Sequence, residues 1–253
     1  MEKMKRIAYL CAAIGLTLVL ASCARAPVKT SLPTASTAYL PPSGPVMRQD
    51  AIHTVGPGET LWRISKTYDV SIDDIMGANR LTDSSKLEMG QRLLIPQAAP
   101  IKPVITIYPS NKWKYIIVHH SATEGGTALD FYKAHRDRGW ETIGYHFVID
   151  NGSGGKQDGQ IEATPRWTKQ MDGAHCAAGS MNSRGIGICL VGNFNYEKVS
   201  PKQMESLAYL VNTLKTNYRI PSSNVLGHGK VTGAKTDCPG KKFPWSEFYA
   251  RTR

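Results

Sequence analysis

Residues 114–123 read KYIIVHHSAT, an unbroken apolar, β-rich run from Tyr115 to Val118 that ends in two adjacent imidazoles, His119 and His120. Turn-type residues follow at once, from Ser121 to Gly126. Such a run reads as a buried strand. Side chains alternate between the two faces of a strand, so only one of the two histidines can serve a given site. Downstream the pattern keeps changing period. Thr127 to Arg138 is helical through Leu129, Phe131, Tyr132 and His135. Tyr145 to Asp150 is a strand that enters a Gly-rich hairpin, Asn151 to Gly155, and returns through Gln160 to Ala163. Gly185 to Val191, GIGICLV, is apolar throughout, as central strands of α/β sheets are. Ser200-Pro201 supplies an N-cap and an N1 proline for a helix reaching about Tyr218, and Phe243 to Ala250 is a closing helix. Strands alternating with helices predict an α/β body over 104–253, a mixed central β-sheet flanked by helices.

Residues 53–96 lie outside that body and form a smaller unit of their own. His53 to Val55 is a short strand and Gly56-Pro57-Gly58 a turn. Thr60 is an N-cap before Leu61, Ile64, Ser65 and Tyr68 at helical spacing. Ser71-Ile72-Asp73-Asp74 reads as a capping box opening a second helix through Asn79, and Arg92 to Ile95 closes the unit before Pro96. The predicted order is βααβ. A Pro/Ser/Thr-rich linker occupies 23–52 and a shorter break 97–103.

The first 22 residues are set apart again. Lys3, Lys5 and Arg6 precede an apolar stretch, Ile7 to Leu20, that is short for a membrane span. It ends in Leu20-Ala21-Ser22-Cys23, which resembles a bacterial lipobox. That resemblance implies a signal peptide over 1–22, a lipidated Cys23, and an exported protein anchored to the cell envelope by lipid, most simply at the outer membrane. Outside the cytoplasm disulfides are permitted, and Cys176, Cys189 and Cys238 remain in the mature chain. Cys176 and Cys189 either pair or stay as buried thiols. An odd number leaves one cysteine without a partner.

The chain carries a formal charge of +11, and residues 104–253 hold 19 basic and 12 acidic residues. An acidic polymer is the expected partner. No Lys/Arg run with interleaved aromatics occurs, and export argues against nucleic acid, which leaves the anionic cell wall. A monomer is expected.

Chemistry needs partners for the opening histidines. Asn224-Val225-Leu226-Gly227-His228 is another apolar run ending in histidine, and Cys238 follows in Thr236-Asp237-Cys238-Pro239-Gly240. Two imidazoles and one thiolate suit a catalytic zinc that keeps a position for water. The spacing alone leaves strand-end capping roles open. No HExxH sequence occurs, and Glu124, Asp130, Glu141 and Glu162 form no pattern of paired carboxylates for glycan cleavage.

Taken together and in order, VHHSAT, GYHFVID, HCAAGSMNSRGIGICLVGNF and GHGKVTGAKTDCPG resemble the type 2 N-acetylmuramoyl-L-alanine amidases, which include amidase-type phage lysozymes and peptidoglycan recognition proteins. The resemblance covers about Lys114 to the C-terminus. It implies zinc held by His119, His228 and Cys238, with Tyr145 and Thr236 catalytic, and hydrolysis of the bond between N-acetylmuramic acid and L-alanine. His120 then falls where the family tolerates other residues. His175 and Asn182 fall in a motif that lines the substrate groove in relatives. Two positions stay open: Asp237 is an alternative ligand to Cys238, and Lys235 an alternative to Thr236. The implied rival is a peptidoglycan-binding protein on the same fold that does not cut. Residues 53–96 resemble a LysM module, on His53 to Ile64 and on the close from Gly90 to Pro96. That resemblance implies binding of N-acetylglucosamine-containing glycan through loops carrying Gly58, Glu59, Thr60, Asn79 and Leu81.

Overall fold

A computed structural model describes residues 47–252. The expected signal peptide, Cys23 and most of the first linker lie outside the described residues. Among the described residues no helix is long and apolar enough to cross a membrane.

The first unit is a βααβ fold, with β1 (Gln49–Thr54), α1 (Leu61–Tyr68), α2 (Ile72–Asn79) and β2 (Arg92–Ala98). Strand β1 begins four residues before the predicted start and pairs antiparallel with β2, so both linkers give up residues to the two-stranded sheet. Ladder hydrogen bonds to a preformed partner extend a strand past its apolar residues, which composition does not reveal. Thr60 caps α1 by accepting from the Arg63 N–H at 3.3 Å. Ser71 caps α2 in the same way from Asp74 at 3.0 Å, but the Asp74 carboxylate accepts from the Ser71 hydroxyl, so the box closes through the side chain. Val55, Leu61, Ile64, Ile75, Leu93 and Ile95 make the small core.

The second unit holds β3 (Tyr115–His120), α3 (Ala128–Asp137), β4 (Phe147–Asn151), β5 (Asp158–Ala163), α4 (Pro165–Thr168), α5 (Met181–Arg184), β6 (Gly185–Leu190), α6 (Pro201–Tyr218), β7 (Val225–Gly227) and α7 (Trp245–Arg251). The sheet order is β5-β4-β6-β3-β7, with β5 antiparallel and the other pairings parallel. This is the expected mixed sheet. The alternation of β3 sorts its side chains. Ile116 and Val118 join Ile186, Ile188 and Leu190 in the main core, under Leu207, Leu210, Val211 and Leu214 of α6 and Phe248 of α7. Ile117 turns to the other face, against Cys176, Met181 and Val231. Helix α6 starts as predicted, with Ser200 and Gln203 forming a reciprocal capping box and Pro201 at N1. The short helices α4 and α5 were not expected, since four residues carry too little periodicity to register.

Buried polar contacts join the two units. Lys156, in the β4–β5 hairpin, donates to the Thr54 carbonyl at 3.2 Å and pairs with Glu162 at 2.8 Å. Glu162 in turn accepts from the Ala128 N–H at the start of α3. Arg63 reaches the Ala163 carbonyl at 3.5 Å. Around them a cleft of about 270 Å³ separates the first loop of the small unit from β5 and α6.

Candidate metal centre and its surroundings

The site forms on the face of the sheet opposite α6. His119 ends β3 on that face and is buried. His228 follows β7, the strand beside β3, in a 3₁₀ turn. Cys238 is brought in by a loop fastened to that turn, where the Gly229 N–H donates to the Cys238 carbonyl at 2.7 Å. A Cβ at Gly229 would sit 2.3 Å from the Thr236 carbonyl oxygen, so the two loops meet this closely only with glycine there. One ligand atom from each of His119, His228 and Cys238 lies within 4.8 Å of the others.

The donor set fits zinc. Bond lengths of about 2.3 Å to sulfur and 2.0–2.1 Å to nitrogen at tetrahedral angles separate the two atoms by about 3.6 Å. The Cys238 Sγ to His119 Nδ1 distance is 3.6 Å. The backbone N–H of His120 points at the same sulfur, at 3.4 Å. Burial, and then the neighbouring imidazoles His175 and His228, hold His119 well below the usual histidine range, and burial holds His228 lower too. Both are therefore neutral donors. Burial pushes the Cys238 thiol up to about 12, so only a cation beside it would turn it into a thiolate.

His120 points to the other face. Its Nδ1 accepts from the Phe194 N–H at 3.2 Å, which pins the loop after β6. Asp237 is exposed, turned outward toward Lys241 at 3.4 Å, and is not part of the cluster. Lys235 is exposed. Thr236 Oγ1 accepts from the Cys238 N–H at 3.1 Å. The Tyr145 ring lies 5.4 Å from that of His119. Burial, and then the Cys189 and Cys238 thiols, raise its phenol well above the usual value, so it stays protonated.

His175 and Asn182 take places the motif reading did not anticipate. His175 is buried behind His119, its Nδ1 3.1 Å from His119 Nε2 and its own Nε2 3.2 Å from the Gly185 carbonyl. Both ring nitrogens are engaged inside the protein, so the ring has no nitrogen left for a muropeptide. Asn182 acts as a latch, with Oδ1 accepting from the His175 and Cys176 N–H groups at 2.8 and 2.7 Å. One signal in the sequence pointed there: GIGIC places glycine at alternate positions on one strand face, which opens space for something flat. Cys176 and Cys189 are separate buried thiols.

In the small unit Glu59 accepts from His53 Nε2 and from the Gly56 N–H, both at 2.8 Å. Thr60 is occupied as a helix cap. Gly58 has φ +69° and faces Pro165 of the second unit. Asn79 is structural, exchanging hydrogen bonds with the Leu94 backbone in both directions at 2.7 Å.

Family profiles match both units of the chain. The profile of the N-acetylmuramoyl-L-alanine amidase family matches residues 109–241, and that of the LysM domain matches 53–96. Peptidoglycan-recognition protein SC1a/b of Drosophila simulans is 32% identical over 152 residues, covering 56% of this chain and 75% of the fly protein. The endolysin of Escherichia phage T7 is 34% identical over 111 residues, 41% of this chain and 67% of its own. Among solved structures, the N-acetylmuramoyl-L-alanine amidase LysC from Clostridium intestinale is 34% identical, with a TM-score of 0.47, covering 59% of this chain and 96% of that one. The family profile spans more than half of the sequence, and the chain belongs to the N-acetylmuramoyl-L-alanine amidase family, with a LysM domain ahead of its amidase domain.

Proposed function

We propose that the protein hydrolyses the amide bond between N-acetylmuramic acid and L-alanine in peptidoglycan, with zinc held by His119, His228 and Cys238. The observation that carries this reading is the meeting of those three donors, from positions far apart in the sequence, inside the family's own domain. When bound, zinc supplies a water of near-neutral acidity and a Lewis acid for the scissile carbonyl. The residues of the chain do the rest. His119 and His228 present neutral nitrogens. The His120 N–H supports negative charge on Cys238. Tyr145, kept protonated beside His119, would donate a hydrogen bond to the reacting oxygen rather than act as a base. Thr236 accepts from the Cys238 N–H and keeps its own hydrogen for the developing oxyanion.

The LysM domain would hold the enzyme on glycan near Gly58, Glu59 and Thr60, and lipid on Cys23 would hold it at the envelope, acting as a monomer. Both tethers raise the local concentration of amide bonds. Labelling with a fatty-acid precursor, lost in Cys23→Ala, tests the anchor.

The test of the activity is a digest of purified peptidoglycan, with and without a chelator, analysed by mass spectrometry. Stem peptides beginning at L-alanine, lost on chelation and restored by zinc, are expected. Sedimentation with the wall and no products at any metal concentration would leave a recognition protein instead. Products cut inside the stem peptide would make it a peptidase.

A further inference from the structure

His175 sits in a slot that admits little else. A Cβ on Gly187 would meet its ring at 2.4 Å, and one on Gly173 at 2.3 Å. Asn182 holds the backbone of 175–176 through its side chain and that of Gly173 through its carbonyl, at 2.7 Å. The imidazole is thus fixed against β3 and β6, bonded to His119 on one and to the Gly185 carbonyl on the other.

Its hydrogen bonds then have one consistent assignment. The Gly185 carbonyl can only accept, so His175 Nε2 carries the hydrogen. In the neutral ring that leaves Nδ1 bare. His119 Nε2, 3.1 Å from that bare nitrogen, must therefore be the donor. A neutral His119 with hydrogen on Nε2 has a bare Nδ1, the atom that faces Cys238.

We propose that His175 is a positioning residue that locks His119 into the tautomer presenting Nδ1 to the metal position, through a chain running from the Gly185 carbonyl to Cys238. The alternating glycines of GIGIC serve this purpose: Gly187 gives the ring its space and Gly185 gives it its acceptor. Partners of this kind typically change metal affinity ten- to a hundred-fold. The zinc part of the proposal rests on the function proposed above; the tautomer part does not.

The experiment has two arms on the full chain in detergent. The first is nitrogen-15 NMR of histidine-labelled, metal-free protein. It should show His119 with hydrogen on Nε2 and His175 with hydrogen on Nε2. A His119 signal with hydrogen on Nδ1 would overturn the proposal whether or not the protein binds zinc. The second arm measures zinc affinity by competition with a chromophoric chelator. His175→Leu and Gly187→Ala should each weaken it about ten- to a hundred-fold. His175→Gln, which can still accept from His119 and donate to Gly185, should recover much of the loss. Unchanged affinity in folded His175→Leu, or a change confined to KM for muropeptide, would overturn positioning while leaving the zinc reading intact. Absence of zinc binding in the wild type would sink the function proposed above, and the NMR arm would still decide the tautomer.

Discussion

At the scale of single residues, the site distinguishes neighbours that look equivalent in the sequence. Asp237 and Cys238 are adjacent, yet only Cys238 faces His119, because Asp237 turns out toward Lys241. Cys238→Ala should therefore lose both retained zinc and cleavage, while Asp237→Ala keeps both. Metal content after dialysis and product masses check the pair. Tyr145 gives a second expectation. In the role proposed for it, a protonated donor to charge that develops in the reaction, it should matter for turnover more than for binding. Tyr145→Phe should lower kcat about a hundred-fold or more, with KM and zinc content nearly unchanged. Steady-state kinetics on a soluble muropeptide read this directly. A Tyr145→Phe enzyme with normal kcat would remove the residue from the mechanism.

At the scale of elements, strand alternation and helix caps carry most of the organisation. Helix α6 covers much of one face of the sheet, and its start depends on the reciprocal box between Ser200 and Gln203. Ser200→Ala should cost about 1 kcal/mol, with a fall of about 2–4 °C in Tm by calorimetry. The β4–β5 hairpin bears a heavier electrostatic load. Lys156 is the ammonium that faces Glu162 and the Thr54 carbonyl, and both charged side chains are nearly inaccessible, at 5% and 7% exposure. Replacing it with a neutral side chain of similar length leaves Glu162 buried without its cation. Lys156→Met should destabilise the protein by about 3–5 kcal/mol in urea unfolding. Asp150 lies in the same region, buried, with its carboxyl beside that of Glu162 and no other hydrogen-bond partner among the described residues. Burial, and then Glu162, hold its carboxyl well above the usual range, so it is a neutral acid there.

At the scale of the whole molecule, Glu59 ties the stability of the LysM domain to pH. Burial alone would raise its pKa, but hydrogen bonding and charge from His53, then Lys156 and the Gly56 N–H, bring it down to about 2 from 4.5. A carboxyl with a lowered folded pKa contributes stability that is complete above its unfolded value. That contribution is lost as pH falls from about 4.5 toward 2, and is worth about 3 kcal/mol. The urea midpoint should accordingly drop over that window in the wild type and drop less in Glu59→Gln. Equal slopes in the two proteins would remove Glu59 from the acid response. Because Lys156 belongs to the amidase domain, acid unfolding of the two domains should be coupled.

The amino-acid sequence by itself determined the βααβ unit, the mixed sheet, helix α6 with its cap, and the rule that only one of His119 and His120 serves the site. Those are local consequences of period, turn chemistry and alternation, which act over a few residues. It also placed His228 and Cys238 within reach of the site by resemblance to ordered motifs. Only the tertiary structure decided that Cys238 and not Asp237 faces His119. It likewise decided that His175 stands behind His119 rather than in the groove, that Asn79 and Thr60 are occupied by the backbone, and that Lys156 joins the two domains. Each of these depends on which backbone groups another part of the chain brings to within 3–4 Å. A sequence read along one dimension carries the donors and acceptors but not the distances between them.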